Sequence, residues 1–137
     1  MDKIKRRSNC PISVALEIFG DKWTLLVIRD IIFKNKNYYG EFLQSEERIA
    51  TNILASRLML LEETSIVTKQ VDLNNKTKYV YKLTEKGLDL LPILIDIILW
   101  SDTYDPNTAA DKEFVQQIKN DREKLIENIL EDHKKIG

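Results

Sequence analysis

Residues 51–83 read TNILASRLMLLEETSIVTKQVDLNNKTKYVYKL, and the apolar period changes inside them. Leu54, Leu58 and Leu61 recur at i, i+4 and i+7, the spacing of one helix face, so a helix is predicted from Ala50 or Thr51 to about Glu63. From Ile66 to Leu73 the pattern turns to β-branched residues in partial alternation, IVTKQVDL. Asn74-Asn75 is a turn signal, and TKYVYKL from Thr77 to Leu83 is extended again, with Val80 between two tyrosines. Two extended runs about such a turn predict a β-hairpin. On a helical wheel, Thr51, Asn52, Ala55, Ser56 and Met59 fall opposite the leucines. That flank is small and uncharged, so it can lie close to base edges in a major groove, where Asn pairs bidentately with adenine. The plainer alternative is a solvated face. Arg57 falls nearer the apolar side, where it meets a phosphate or pairs with Glu41, the pairing being preferred.

Working upstream, Lys34–Asn37 is a polar turn and a short helix is expected from Tyr39 to Gln44, burying Tyr39, Phe42 and Leu43. Before it, Pro11 suits the first turn of a helix running from Ile12 to Phe19. Gly20 is expected to close that helix in the left-handed conformation. Asp21 then caps a helix from Lys22 to about Phe33, apolar around most of its circumference and therefore central. Downstream, Thr84 caps a helix expected to continue through the apolar window ending at Trp100. Asp102–Asn107 is expected to be a linker, and Ala109–Lys135 a last helix with a stripe of Phe114, Ile118, Leu125 and Ile129. The fold class is thus mainly α with a small β-hairpin. Short helix, turn, helix and hairpin make the winged helix-turn-helix order. The expected divisions are a basic arm at 1–11, a DNA-binding domain at 12–100 and a dimerisation helix at 101–137.

Several local motifs are similar to those of the HxlR-type winged helix-turn-helix regulators, relatives of the MarR type. They are Cys10-Pro11, then Gly20-Asp21-Lys22-Trp23-Thr24-Leu25-Leu26 and Arg29-Asp30. Tyr39-Gly40-Glu41-Phe42, Ile53–Leu58 and Tyr81-Lys82-Leu83-Thr84-Glu85-Lys86-Gly87 follow in order. The resemblance spans roughly Cys10 to Trp100 and implies a bacterial or archaeal homodimer that binds operator DNA and controls transcription. The chain departs from the family at Thr64-Ser65-Ile66-Val67, where a glycine is common before the last apolar pair. It departs also at the wing tip, Asn74-Asn75-Lys76, and at Asn52, where a basic residue is frequent. The family also implies that an N-terminal cysteine, here Cys10, senses electrophiles or oxidants in some members. The alternative for Cys10 is an inert thiol.

Composition narrows the field. The chain has 137 residues and a formal net charge of −1, which excludes binding by bulk positive charge but not a local basic face. From Arg48 to Lys86 the balance is +3, and from Trp100 to Gly137 it is −3. Lys69, Lys76 and Lys78 place charge on the hairpin, as a wing touching the phosphate backbone needs; for Lys69 and Lys78 the alternative is edge lysines that block strand pairing. One Cys and one His exclude an internal disulfide and a closed Cys/His zinc site, and four scattered glycines a phosphate-binding loop. Neither metal nor cofactor is expected, and no catalytic constellation points to an enzyme. The N-terminus lacks the apolar run of a signal peptide. The window 88–100 is too short to span a bilayer, so a cytoplasmic protein with no membrane partner is expected.

One module makes few contacts, and a two-fold dimer doubles them. Leu91, Ile95, Ile98, Leu99 and Trp100 are the expected dimer surface, unless the last helix covers them within one chain. Lys5, Arg6 and Arg7 are expected to favour the Cys10 thiolate. Trp23, Tyr39, Trp100 and Tyr104 are candidate liners of a pocket for a small aromatic effector, core packing being the alternative. The expected function is that of a homodimeric repressor on a pseudo-palindromic operator, responsive to an oxidant, an electrophile or a small aromatic molecule. The rival is a winged-helix adaptor that binds protein instead of double-stranded DNA.

Overall fold

The structure, a computed structural model, describes residues 5–136; Met1–Ile4 of the expected basic arm lie outside them. Nine elements follow in order. They are α1 (Pro11–Phe19), α2 (Thr24–Lys34), α3 (Tyr39–Leu43), α4 (Thr51–Glu63), β1 (Val67–Val71), β2 (Tyr79–Leu83), α5 (Glu85–Leu88), α6 (Leu91–Tyr104) and α7 (Lys112–Ile136). The chain divides into two units after Leu88, earlier than the expected boundary at Trp100, and α6 groups with α7.

In the first unit α2 is central, with Val27, Ile28, Ile31 and Ile32 buried along it. It starts at Thr24, two residues later than expected, and its N-cap is Trp23 rather than Asp21, with no side-chain capping bond; Asp21 instead braces the turn before it. The Asp21 carboxylate accepts the Thr24 hydroxyl at 2.6 Å and the Trp23 N–H at 3.3 Å. Gly20 is not left-handed but sits at φ −77°. Its lack of a side chain matters for space instead: a Cβ there would lie 2.4 Å from the Leu16 carbonyl oxygen. In α3, Phe42 is buried while Tyr39 and Leu43 are only half-buried. α4 has the expected limits, and Leu54, Leu58 and Leu61 are all buried. Its exit passes through Ser65 at φ 62°, in the left-handed region, where the resembled family commonly has glycine.

The hairpin pairs antiparallel from Val67↔Leu83 to Val71↔Tyr79. Both strands are shorter than the sequence pattern suggested, because side chains of the connecting loop take over its backbone groups. Asp72 accepts the Asn74 N–H, and Asn75 accepts both the N–H and the hydroxyl of Thr77. α5 lies against the hairpin's base so closely that a Cβ at Gly87 would fall 2.4 Å from the Ile66 carbonyl oxygen.

The helix expected from Glu85 through Trp100 is broken into α5 and α6. Pro92 lacks the N–H that a continuous helix needs and is accommodated only in the first turn of a new one. α6 then runs on to Tyr104, through half of the expected linker, and stops before Pro106, which disfavours helix at Asp105. α7 begins at Lys112 rather than Ala109, with Asp111 accepting the Glu113 N–H. It is kinked at Asp121, where φ is −156° and ψ 81°. Within this second unit α6 and α7 pack together. Val115 and Ile118 are buried on α7, whereas Phe114, Leu125 and Ile129 of the expected stripe are half-buried. Arg122 of α7 pairs with Asp96 of α6, and Lys112 reaches Asp102 at 2.7 Å.

Candidate nucleic-acid interface

The two sides of α4 differ in both burial and chemistry. Its leucine stripe is sealed, while Thr51, Asn52, Ala55, Ser56 and Met59 are all exposed. Four of the predicted contact residues therefore share one open flank with no charge on it. Arg57 sits at its edge. It neither pairs with Glu41 nor stands free: its guanidinium lies 3.6 Å from Asp21 and donates to the Ser56 hydroxyl at 3.0 Å. Glu41 is taken instead by the N–H groups of Asn37 and Tyr38, at 2.9 and 3.1 Å, which caps α3.

The turn that delivers α4 is held from beneath by α2. Asp30, 2% exposed, accepts the Ser45 hydroxyl at 2.5 Å and the Arg29 guanidinium at 2.8 Å. Lys36 donates to the same hydroxyl at 2.8 Å. Arg29 also grips both carboxylate oxygens of Glu47, at 2.6 and 2.9 Å. That bidentate pair pulls the Glu47 carboxyl down to about 2. Arg48 follows at φ 57°, and buried Ile49 anchors the entry to α4. Trp23, Phe42 and Ile49 line a void of about 10 Å³ here, at most room for one water. Trp23 therefore lines no effector-sized space at this point. Sequence inspection missed Asp30, Ser45 and Glu47 as the frame of the site. The available signal was an Arg-Asp pair inside an otherwise apolar helix.

On the hairpin, Lys76 is exposed at the tip. Lys69 and Lys78 are steered by aromatic rings: the Lys69 ammonium lies 4.3 Å from the Tyr79 ring centre and that of Lys78 5.4 Å from Tyr38. Between α3 and the hairpin lies an open concavity lined by Tyr38, Tyr39, Gln44, Lys78 and Tyr79. Tyr39 is anchored in it, its hydroxyl donating to the Thr51 carbonyl at 2.8 Å.

Comparison with known proteins agrees with this architecture. Residues 18–109 match the HxlR-like helix-turn-helix family. The chain belongs to that family. Rv3095 of Mycobacterium tuberculosis, an uncharacterized HTH-type transcriptional regulator, is 33% identical over 67% of this chain and 57% of its own length. The chain thus spans little more than half of that relative. YodB of Bacillus subtilis, an HTH-type transcriptional regulator, is 30% identical over 69% of this chain and 85% of its own. The reduced form of YodB superimposes with a TM-score of 0.58, covering 74% of this chain and all of YodB at 30% identity. The crystal structure of PA1607 gives a TM-score of 0.68 at 33% identity, covering 77% of this chain and 73% of the other. The HxlR-type relatives are transcriptional regulators and not enzymes.

In this HxlR-type chain Cys10 is exposed and forms the N-cap of α1. Its thiol is shifted below the ordinary value by the N–H groups of Ser13 and Ile12. The helix start, not the neighbouring basic residues, is the cause, and Arg7 is paired with Glu17. On α6, Leu91 and Ile95 are fully buried within the chain and are removed from the expected dimer surface. Ile98 and Leu99 are half-buried. The exposed large apolar residues are Ile93, Ile97, Trp100 and Tyr104, spaced at i, i+4, i+7 and i+11, with exposed Asp96 and Thr103 among them. Trp100 and Tyr104 contact each other, ring centres 5.8 Å apart.

Among the described residues no helix is long and apolar enough to cross a membrane.

Proposed function

We propose that this chain is a DNA-binding transcriptional regulator that acts as a homodimer on a pseudo-palindromic operator and represses by occupying it. The observation that carries this reading is the flank of α4: exposed, uncharged and rimmed by small side chains, with the opposite leucines sealed. Thr51, Asn52, Ala55 and Ser56 enter a major groove. Lys76, with Lys69 and Lys78, meets the backbone beside it. A two-fold dimer doubles these contacts, and half-sites for such a dimer lie ~34 Å apart on a duplex. Trp100, with Ile93, Ile97 and Tyr104 beside it, supports that pairing, because an exposed apolar stripe at helical spacing gains by burial.

Cys10 is the proposed point of control by an oxidant, a quinone or another electrophile. Its exposure and lowered pKa favour the reactive thiolate. YodB has been solved reduced, quinone-bound and diamide-treated. Cys10→Ser is then expected to leave DNA affinity intact and abolish its loss on quinone treatment.

Selection from a pool of random duplexes tests the main reading. An enriched two-fold motif is expected, with binding that weakens steeply as salt rises. Asn52→Ala should cost ~1–3 kcal/mol on the enriched site and much less on random DNA. Equal losses on both would remove base reading from Asn52. Salt-insensitive capture of a protein, with no duplex enriched, would establish the adaptor instead.

A further inference from the structure

Three consecutive residues hold three different parts of the first unit. Asn37 acts as a one-residue strand on the free edge of β2: its carbonyl accepts the Tyr81 N–H at 2.8 Å and its side-chain amide donates to the Tyr81 carbonyl at 2.8 Å. Tyr38 reaches the far end of β1, its hydroxyl donating to the Asp72 carboxylate at 2.8 Å. Tyr39 ties down the first residue of α4 through the Thr51 carbonyl. One carboxylate oxygen of Glu41 accepts the N–H groups of both Asn37 and Tyr38, which fixes the tripeptide itself. A two-stranded hairpin is marginal on its own. Beyond its base this one is exposed along Thr68–Gln70 and Leu73–Tyr79. Its direction is therefore set where something outside the ladder grips it. The Asp72 carboxylate does so at the entrance to the loop, and the same carboxylate shapes that loop by accepting the Asn74 N–H.

We propose that Asn37, Tyr38 and Asp72 form a latch that fixes the wing at a set distance from the recognition helix, so that the wing lysines and the α4 flank engage one duplex together. These are positioning residues, and the inference rests on the DNA-binding reading given above. The latch also orients a lysine directly, since Lys78 lies over the Tyr38 ring. The acid–base shifts agree with a donated hydrogen bond. Asp72 is held below the ordinary carboxylate value by the Asn74 N–H and then by the Tyr38 hydroxyl, and Tyr38 is raised by Asp72.

Asp72 makes the idea sharply testable. It is an acidic group on a surface that faces phosphates. Charge alone predicts that Asp72→Ala strengthens DNA binding. The latch predicts that it weakens binding, as does Tyr38→Phe, which changes no charge and keeps the ring beneath Lys78. The test uses the full chain, the selected operator and a salt series, together with amide hydrogen exchange of the free protein. Expected for each variant is operator binding weaker by roughly three- to tenfold and a salt slope shallower by about one. The amides of Asp72, Asn74 and Lys78 should exchange faster while those of α4 keep their protection and the melting temperature holds. Tighter binding by Asp72→Ala, or unchanged binding and wing exchange in Tyr38→Phe, overturns the latch. A wild-type chain that binds no duplex overturns the DNA reading and, with it, the role of the latch in DNA engagement; the exchange arm separates that failure from a latch that does not exist.

Discussion

Both units of the chain have an apolar core, but their polar ties and their open faces differ. In the first, polar side chains do the positioning: Asp30 holds Ser45, Glu41 caps Asn37 and Tyr38, and Tyr39 grips Thr51. The face left open is small and uncharged. In the second, an arginine–aspartate and a lysine–aspartate pair near the surface tie α6 to α7, and the large apolar side chains of Ile93, Ile97, Trp100 and Tyr104 are left open. Trp100 is 67% exposed and Tyr104 75%. A surface of the first kind is finished before its partner arrives, as groove recognition requires, because a misplaced hydrogen-bonding group loses the contact. A surface of the second kind tolerates adjustment and gains mainly by leaving water.

The largest effect expected from this contrast is at Trp100. Trp100→Asp should convert the protein to a monomer in sedimentation equilibrium and weaken operator binding by roughly 30-fold to 1,000-fold, the range of a lost hot spot. Far-UV circular dichroism should stay unchanged. A wild-type chain that is already monomeric would break the contrast outright. Next comes Asp30. Asp30→Ala leaves the Ser45 hydroxyl and part of the Arg29 guanidinium without their acceptor beneath the turn, and should cost ~2–3 kcal/mol in urea unfolding. A loss of stability with no change in operator affinity for the remaining folded protein would show that Asp30 supports the core rather than the turn.

How much of this was legible in the sequence depends on which force acts. Periodicity gave α4 and its limits to within a residue or so, because burial of Leu54, Leu58 and Leu61 is a local, repeating demand. The exposed flank followed from the same wheel. Positions set by long-range polar contacts were not legible. Nothing in the spacing of Arg57 says that its nearest acid is Asp21, in the α1–α2 turn, rather than Glu41. Residues that choose between two apolar environments were equally hidden. Leu91 and Ile95 differ from Ile93 and Ile97 only by helical phase, and the break before Pro92 set that phase. Cys10 shows a third case: its basic neighbours were visible, but the N–H groups that act on it exist only once α1 forms.

Ser65 tests a smaller term. It holds φ at 62° where L side chains are strained by ~1–2 kcal/mol, although glycine returns part of that through greater freedom in the unfolded chain. Ser65→Gly should therefore stabilise the protein by ~0.5–1 kcal/mol in urea unfolding, without altering DNA affinity. Destabilisation would mean that the exit from α4 is held by the serine side chain, and that the polar control seen at Asp30 extends to the wing's entrance.

The smallest effect concerns the Arg29–Glu47 pair, which lies on the rim of the polar frame. The Arg29 guanidinium holds the Glu47 carboxyl down to about 2 in the folded chain against an ordinary 4.5. A carboxyl lowered on folding contributes stability that is complete above the unfolded value and is lost as pH falls from 4.5 toward 2. Because the Glu47 side chain is 36% exposed, water and salt screen the pair, and its worth is ~1 kcal/mol or less. Urea midpoints of wild type and Glu47→Gln should differ at pH 6 and converge as the pH approaches 2. A gap that persists at low pH would mean that Glu47 acts through packing and neutral hydrogen bonds. The turn before α4 would then owe its position to Asp30 and Ser45 alone, inside the frame, where burial keeps the carboxylate from being screened.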